Sequence, residues 1–319
     1  MNSNKINITI CGNGRFIQKR ILPVVLENNK LHLDSIIKSS NTNSSFYDCK
    51  YYNTLDECLL NKPTGIIYIA SPNNLHAIQT IKSLNAGLNV LCEKPMAINK
   101  SECDQMLETA YKKGVHLQIG HQLRFSPAIT KVKEYLNNDI IGELKKISIK
   151  FHYELPLNTR KWAYDHNISG GGCLMDAGIH AIDTIIFLTN KSNFEIVNLV
   201  TDSALHKDRL ERMAICNFYN EEIVCEIDIC AEKSYSTTLT LNGTKGNIFI
   251  NDFAASWGTI KIECHNQLKS SYEIVDVSTI YANQINHFIS KINNKDFNYS
   301  YTEDAALNVQ FIQNIYNFI

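Results

Sequence analysis

Ile6, Ile8 and Ile10 recur at every second position, the period of a half-buried strand, and after Gly12 and Gly14 the apolar residues Ile17, Ile21 and Val24 or Val25 keep a helical period. The same alternation of runs continues. Residues 31–37 (LHLDSII), 64–71 (TGIIYIAS), 88–94 (LNVLCEK) and 115–120 (VHLQIG) read as strands, and TLDECLLN, LHAIQTIKSLNAG and SECDQMLETAYKKG between them read as helices. Ser101 and Gly114 are placed to cap the last of these helices. Strands alternating with helices predict a parallel, doubly wound sheet, in which ligands gather beyond the carboxyl ends of the strands. Gly12 and Gly14, Ser71 to Asn74, and Glu93 to Pro95 all fall at such ends.

After Gly120 the pattern changes. A helix from about Pro127 to Leu136 leads to an alternating strand, ELKKISIKFHYEL, then a glycine-rich stretch and the apolar run AIDTIIFLT. Mostly strands follow, at FEIVNLV, ERMAICNFY, IVCEIDI, STTLTLNG, GNIFIND and GTIKIEC, and a last helix spans about Glu303 to Phe318. Two domains are expected: 1–120, dinucleotide-binding, and 121–319, an α/β domain for substrate and oligomerisation with a largely antiparallel sheet.

Composition narrows the partners. Lys plus Arg number 31 against 32 Asp plus Glu, a net charge of -1, so no global basic field invites nucleic acid or an anionic membrane. A small-molecule partner is expected instead. Ten cysteines are scattered without a C-x-x-C pair, which suits buried thiols in a reducing compartment. With no signal-like start and no apolar run of about 18 residues, a cytoplasmic protein is expected.

The chemistry begins at the glycine turn. Gly12 and Gly14 match the first two glycines of G-x-G-x-x-G, and Ile17 stands at the third. The first glycine permits the turn, the second admits a pyrophosphate, and the helix start offers N–H groups to the anion. Gly12, Gly14, Arg15, Phe16 and Ile17 are therefore candidate dinucleotide contacts, Arg15 toward phosphate. At the end of the second strand Lys38, Ser39 and Ser40 stand where an NAD enzyme usually has an acid, and Asp34 lies too early on the strand to reach. A cation with two hydroxyls suits a 2′-phosphate, so NADP(H) is favoured over NAD(H).

Five segments in order, SPNNLH (71–76), AGLNVLCEKP (86–95), RFSPAI (124–129), IIGELKKI (140–147) and SGGGCLMDAGIHAIDTIIFL (169–188), carry a resemblance to the glucose-fructose oxidoreductase, inositol dehydrogenase and rhizopine-catabolism family, Gfo/Idh/MocA. The resemblance covers nearly the whole chain. It implies a Rossmann domain followed by an open-faced α/β domain, a nicotinamide cofactor, and hydride transfer at a secondary alcohol or ketone of a sugar-like substrate. It implies that Lys94 is the site lysine with a cis bond to Pro95. It also implies that Ser71, Pro72, Asn73 and His76 lie beside the nicotinamide ribose, with Glu93 and Lys94 on the cofactor side, and that the chain dimerises or tetramerises through its open sheet. An uncovered apolar sheet would itself favour association.

Lys94, at a strand end, could polarise a carbonyl or stabilise an alkoxide while hydride moves. Asp176 and His180, four positions apart, would share a helix face, where the carboxylate can orient the imidazole for proton transfer. The same pair could instead be a helix-capping contact, or part of a metal site with Asp183 in a lyase or hydrolase. No metal is expected. Gly170 to Gly172 mark a flexible turn or a close backbone approach to a ligand. Arg160, Trp162 and Tyr164 suit hydroxyls and the apolar face of a sugar ring. Gln122 and Arg124 could line the same crevice, or Arg124 could form a domain-bridging ion pair. The alternative to an enzyme is a sensor that keeps the dinucleotide fold without turnover.

Overall fold

The computed structural model of the chain describes residues 5–38, 47–155, 161–205, 210–267 and 269–318. These fall into two compact units, 1–120 with 284–306, and 121–283 with 307–319.

The first unit is built on six parallel strands, β1 (Ile6–Cys11), β2 (Leu31–Ile37), β3 (Lys50–Tyr52), β4 (Ile66–Ile69), β5 (Asn89–Cys92) and β6 (Leu117–Ile119), in the order β3-β2-β1-β4-β5-β6. This is the Rossmann order, with its reversal between β1 and β4. All four residues of β4 are buried, which explains why it reads as a continuous apolar run rather than an alternating one. Three helices connect the strands: α2 (Leu55–Leu60), α3 (Asn73–Asn85) and α4 (Lys100–Lys113), while α1 (Leu22–Glu27) continues the helix that follows the glycine turn.

Thr54 caps α2 by accepting from the Glu57 N–H at 3.1 Å. For α4 the cap is Asn99, not the expected Ser101. Asn99 is extended and accepts from the Glu102 N–H at 2.9 Å, so Ser101 already lies inside the helix. Gly114, at φ 60°, ends that helix as expected.

Periodicity alone puts a boundary at 120, yet residues 284–306 group with the first unit. The edge strand gives the physical reason. Tyr299 donates to the carbonyl of Val115 at 2.7 Å, and the Thr302 hydroxyl donates to that of Leu117 at 2.6 Å. These side chains satisfy an edge that would otherwise present open backbone groups.

The second unit holds eight strands: β7 (Leu144–Glu154), β8 (Glu195–Thr201), β9 (Met213–Tyr219), β10 (Val224–Cys230), β11 (Glu232–Gly243), β12 (Gly246–Asn251), β13 (Thr259–Asn266) and β14 (Ser270–Asp276). Their order is β14-β13-β12-β11-β7-β10-β9-β8, antiparallel throughout except for the β7–β10 pair. One face, carrying Ile147, Ile149, Ile227, Leu239 and Leu241, is buried. Helices α5 (Pro127–Asn137), α6 (His166–Ser169) and α7 (Ile179–Thr189) belong to this unit, and α5 and α7 pack against β14 and β7.

The other face is mixed, with Val200, Tyr219, Val224, Tyr272 and Ile274 exposed away from its middle. At its centre Lys146 pairs with Glu226 at 3.1 Å and His152 with Asp228 at 3.0 Å, among Ser148, Thr238 and Thr240. The membrane expectation also needs amending. Residues 166–189 contain an 18-residue stretch apolar enough by composition to cross a membrane, at a mean hydropathy of 1.4, but 83% of that stretch is buried inside the protein. It is the core helix of the second unit.

Replacing Thr302 with Val should leave the Leu117 carbonyl buried and unpaired, at a cost of roughly 1–3 kcal/mol. Denaturant unfolding reads that loss; an unchanged midpoint would show that the edge is not held by this contact.

Candidate active site

Gly12 sits at φ +117°, and a Cβ there would lie 2.6 Å from the Ala70 carbonyl oxygen, so the fold itself demands glycine. Gly14 differs. It is exposed, and a Cβ built on it meets no atom within 4 Å, so its bare backbone relieves nothing within the protein. That is the property expected of a glycine that serves a ligand's approach.

The helix after the turn widens into a π stretch, Ile17–Ile21, beginning at the position where a complete fingerprint would have its third glycine. The Ile17 side chain is 1% exposed and packs into the core, as its place in the apolar period of the helix predicts, so what it offers a ligand is its backbone at the helix start. Arg15 is exposed and Phe16 half-buried at the turn.

One residue beyond the strands, backbone bonds continue in a row. The Ala70 N–H donates to Cys11 at 2.8 Å, Glu93 to Ile69 at 2.9 Å and Gly120 to Cys92 at 2.7 Å. Gly12, Ser71, Glu93 and Lys94 therefore stand along one sheet edge. The buried Ser71 hydroxyl has no hydrogen-bond partner among the described residues, an orphaned polar atom that fits a bound dinucleotide. The Lys94–Pro95 bond is cis.

His76 is 1% exposed, with Nδ1 2.7 Å from the Pro95 carbonyl and Nε2 2.9 Å from that of Ser71. Burial and the Lys94 ammonium hold its pKa below the usual value, against the pull of the two carbonyls. Each ring nitrogen faces a backbone carbonyl, and the one that carries the proton in the neutral imidazole donates to its neighbour, so the ring is wedged between the Ser71 and Pro95 loops. Pro72 precedes α3, and Asn73 opens it, largely buried.

Lys38 follows β2, with its ammonium 4.8 Å from the centre of the Tyr51 ring. Asp34 is engaged by Lys50 at 3.3 Å. Ser39, Ser40 and Arg160 lie outside the described residues.

In the second unit a further π stretch, Leu174–Gly178, carries Asp176 and runs directly into α7 with His180. Tyr153 donates to Asp176 Oδ2 at 2.9 Å, and His180 stacks on Phe151 with ring centres 6.0 Å apart at 12°. Phe151 and Tyr153 are two apart on β7 and so point to one face of the sheet. Asp176 and His180 therefore meet the same side of the same strand.

The glycines before them are explained by close packing. A Cβ on Gly171 would fall 2.1 Å from the Tyr316 hydroxyl oxygen, and one on Gly172 2.1 Å from the Glu211 carbonyl oxygen. Glu211 in turn accepts from the Leu174 N–H at 3.0 Å and from Tyr316 at 2.8 Å. Gly170, at φ 78°, ends α6 in a left-handed turn, and no ligand is needed to account for Gly171 and Gly172.

Arg124 is not placed for substrate. It is 3% exposed and its guanidinium holds Asp183 through Nε at 3.0 Å to both carboxylate oxygens and Nη2 at 2.6 Å, with Asn308 adding a bond at 2.7 Å. The pair lies wholly within the second unit, so it is not the domain-bridging ion pair considered from sequence. It also withdraws Asp183 from the metal set considered with Asp176 and His180. Gln122 and Trp162 remain half-buried in short 3₁₀ turns.

Comparison with known proteins agrees with this layout. The model of an oxidoreductase family with an NAD-binding Rossmann fold matches residues 6–121, and that of the GFO/IDH/MocA C-terminal domain matches residues 129–249. The chain belongs to the Gfo/Idh/MocA family. Among its relatives, the 1,5-anhydro-D-fructose reductase of Ensifer adhaerens is 24% identical over 245 residues, 76% of this chain and 74% of that protein. The D-glucoside 3-dehydrogenase of Escherichia coli is 26% identical over 203 residues, 62% of this chain and 58% of that one. A solved variant of the 3-ketoreductase KijD10 from Actinomadura kijaniata, in complex with TDP-benzene and NADP, superposes with a TM-score of 0.88 at 18% identity, covering 98% of both chains. The aldose-aldose oxidoreductase of Caulobacter crescentus, complexed with glycerol, gives 0.87 at 20%, covering 98% of this chain and 97% of that one. Identities this low show the shared fold.

Within the family frame, sequence reasoning missed Tyr68, Phe151, Tyr153 and Glu211. Tyr68 reads as one more apolar position in a buried strand, yet its hydroxyl reaches Glu93. Phe151 and Tyr153 carried a usable signal, two aromatics on one face of an alternating strand.

Substituting Gly14 with Ala should leave thermal stability nearly unchanged while weakening dinucleotide binding about tenfold or more. Gly12→Ala should instead destabilise the fold by about 1–3 kcal/mol. Melting and cofactor titration of the two variants separate the roles; equal dinucleotide affinity in Gly14→Ala and the parent would remove Gly14 from the site.

Proposed function

We propose that this chain is an NAD(P)-dependent oxidoreductase that moves hydride between the nicotinamide and a secondary alcohol or ketone of a sugar, polyol or nucleotide-linked sugar. The observation that carries the reading is the position of Lys94, just past the end of β5 on the sheet edge that also bears the Gly12 turn and the unpaired Ser71 hydroxyl. The reactions named for its relatives, at sugar hydroxyl or keto groups, support the substrate class.

A bound nicotinamide supplies or accepts the hydride. The Lys94 ammonium polarises the carbonyl oxygen in reduction and stabilises the developing alkoxide in oxidation. His180 carries the accompanying proton, and stacking on Phe151 limits the orientations of its ring. Asp176 assists by orienting and balancing charge, and the Tyr153 hydroxyl holds one of its oxygens. Gln122 and Trp162 are assigned to substrate hydroxyls and the ring face.

NADP(H) is the favoured cofactor. Lys38 is the cation at the end of β2, the carboxylate nearest it in that strand is engaged by Lys50, and the solved 3-ketoreductase of the same fold holds NADP. A cytoplasmic setting is in keeping with ten free cysteines, nine of them buried.

Parallel fluorescence titrations with NADPH and NADH should show tighter NADPH binding; tighter NADH binding would remove Lys38 as a phosphate ligand but keep the enzyme class. Lys94→Met should leave affinity for the reduced dinucleotide, whose nicotinamide ring is neutral, nearly unchanged and lower turnover by about 10²–10⁴-fold. Turnover that survives the substitution would favour a different polarising group, and no turnover in the parent on any sugar or keto-sugar would favour a sensor.

A further inference from the structure

The Glu93 carboxyl occupies a built slot. Tyr68, fully buried on β4, donates to Glu93 Oε1 at 2.5 Å, and the Lys94 backbone N–H approaches Oε2 at 3.3 Å. The third wall is Gly120, past the end of β6, where a Cβ would come within 3.0 Å of Oε1 and 3.1 Å of Oε2. Part of the side chain remains accessible at the sheet edge that bears the Gly12 turn.

Burial pushes this carboxyl up to about 7, against the Tyr68 hydrogen bond and the Lys94 charge. The titratable groups facing it are Tyr68 from β4, Cys92 at the end of β5 and Lys94 beyond it; Gly120 brings none. The Cys92 thiol is pushed far up by burial and stays neutral, leaving Lys94 as the fixed charge nearby. Burial thus raises this acid toward neutrality, and it stands on the sheet edge to which the dinucleotide reading assigns the cofactor.

We propose that Glu93, aligned by Tyr68, is a specificity-determining residue that selects between oxidised and reduced dinucleotide through its charge. The inference rests on the dinucleotide reading of the first unit. The oxidised nicotinamide ring is cationic and the reduced ring is neutral, so an ionised Glu93 favours the oxidised form. A protonated Glu93 leaves only the Lys94 ammonium, which disfavours a second cation. By linkage, binding the oxidised form lowers the affinity of Glu93 for its proton and releases it. The ratio of the dissociation constants, oxidised over reduced, therefore falls as pH rises through neutrality. The 2′-phosphate of NADP titrates in both forms alike and cancels from the ratio.

The test uses the full-length, cofactor-stripped protein, NADPH followed by fluorescence and NADP⁺ by displacement, from about pH 6 to about pH 8.5. The ratio should fall about tenfold across that range in the parent. In Glu93→Gln it should stay flat near the low-pH value. In Tyr68→Phe the fall should move to higher pH, because the lost hydrogen bond stabilised the ionised form; a purely structural Tyr68 would not move it. A flat ratio in the parent with both forms bound, or an undiminished slope in Glu93→Gln, overturns the proposal and leaves the dinucleotide site standing. Failure of both forms to bind at every pH overturns the dinucleotide reading itself. Should Glu93→Gln not fold, the parent slope and the Tyr68→Phe displacement decide the matter together.

Discussion

Parallel pairing of β1, β4 and β5 brings their carboxyl ends to one edge, and every candidate cofactor residue near those ends owes its place to that constraint. The backbone bonds that run one residue past the strands make the edge continuous, from the Gly12 turn through Ser71 to Glu93 and Lys94. No single side chain draws these residues together. Strand direction does, and the loops that follow inherit their proximity. His76 then packs between two of the loops, each ring nitrogen facing a backbone carbonyl of one of them.

Three carboxyls show how partners divide the work of buried acids. Burial alone would raise Asp183, but Arg124, His121 and Asn308 together hold it below the usual value, and it stays ionised as a structural pivot. Burial raises Glu211, with the Leu174 N–H and the Tyr316 hydroxyl only partly opposing it, and it braces the start of the segment that bears Asp176. Glu93 lies between these cases: one hydroxyl and one nearby ammonium, with no guanidinium fork, leave its charge responsive to the surroundings.

Much of the fold was legible from period alone. The runs at 31–37, 64–71, 88–94 and 115–120 each contain a strand, and Gly12, Gly14 and Lys94 are found where those ends predict. What escaped has identifiable causes. β3 is three residues long, too short for an alternation to register, and β14 is an edge strand with few buried positions. The helix Ile280–Asn294 went unassigned. The π stretches at Ile17 and Leu174 leave the apolar period nearly intact and so went unread in the sequence. Arg124 and Asp183 read as polar residues available for chemistry because nothing in a linear sequence shows that they neutralise one another.

Because residues 284–306 complete the unit that begins with β1, that unit cannot be completed until the antiparallel sheet has been made. The nascent Rossmann sheet must wait, with the carbonyls of its β6 edge unsealed, while the whole of the antiparallel sheet is translated. During that interval the β6 edge is open to pairing with another strand.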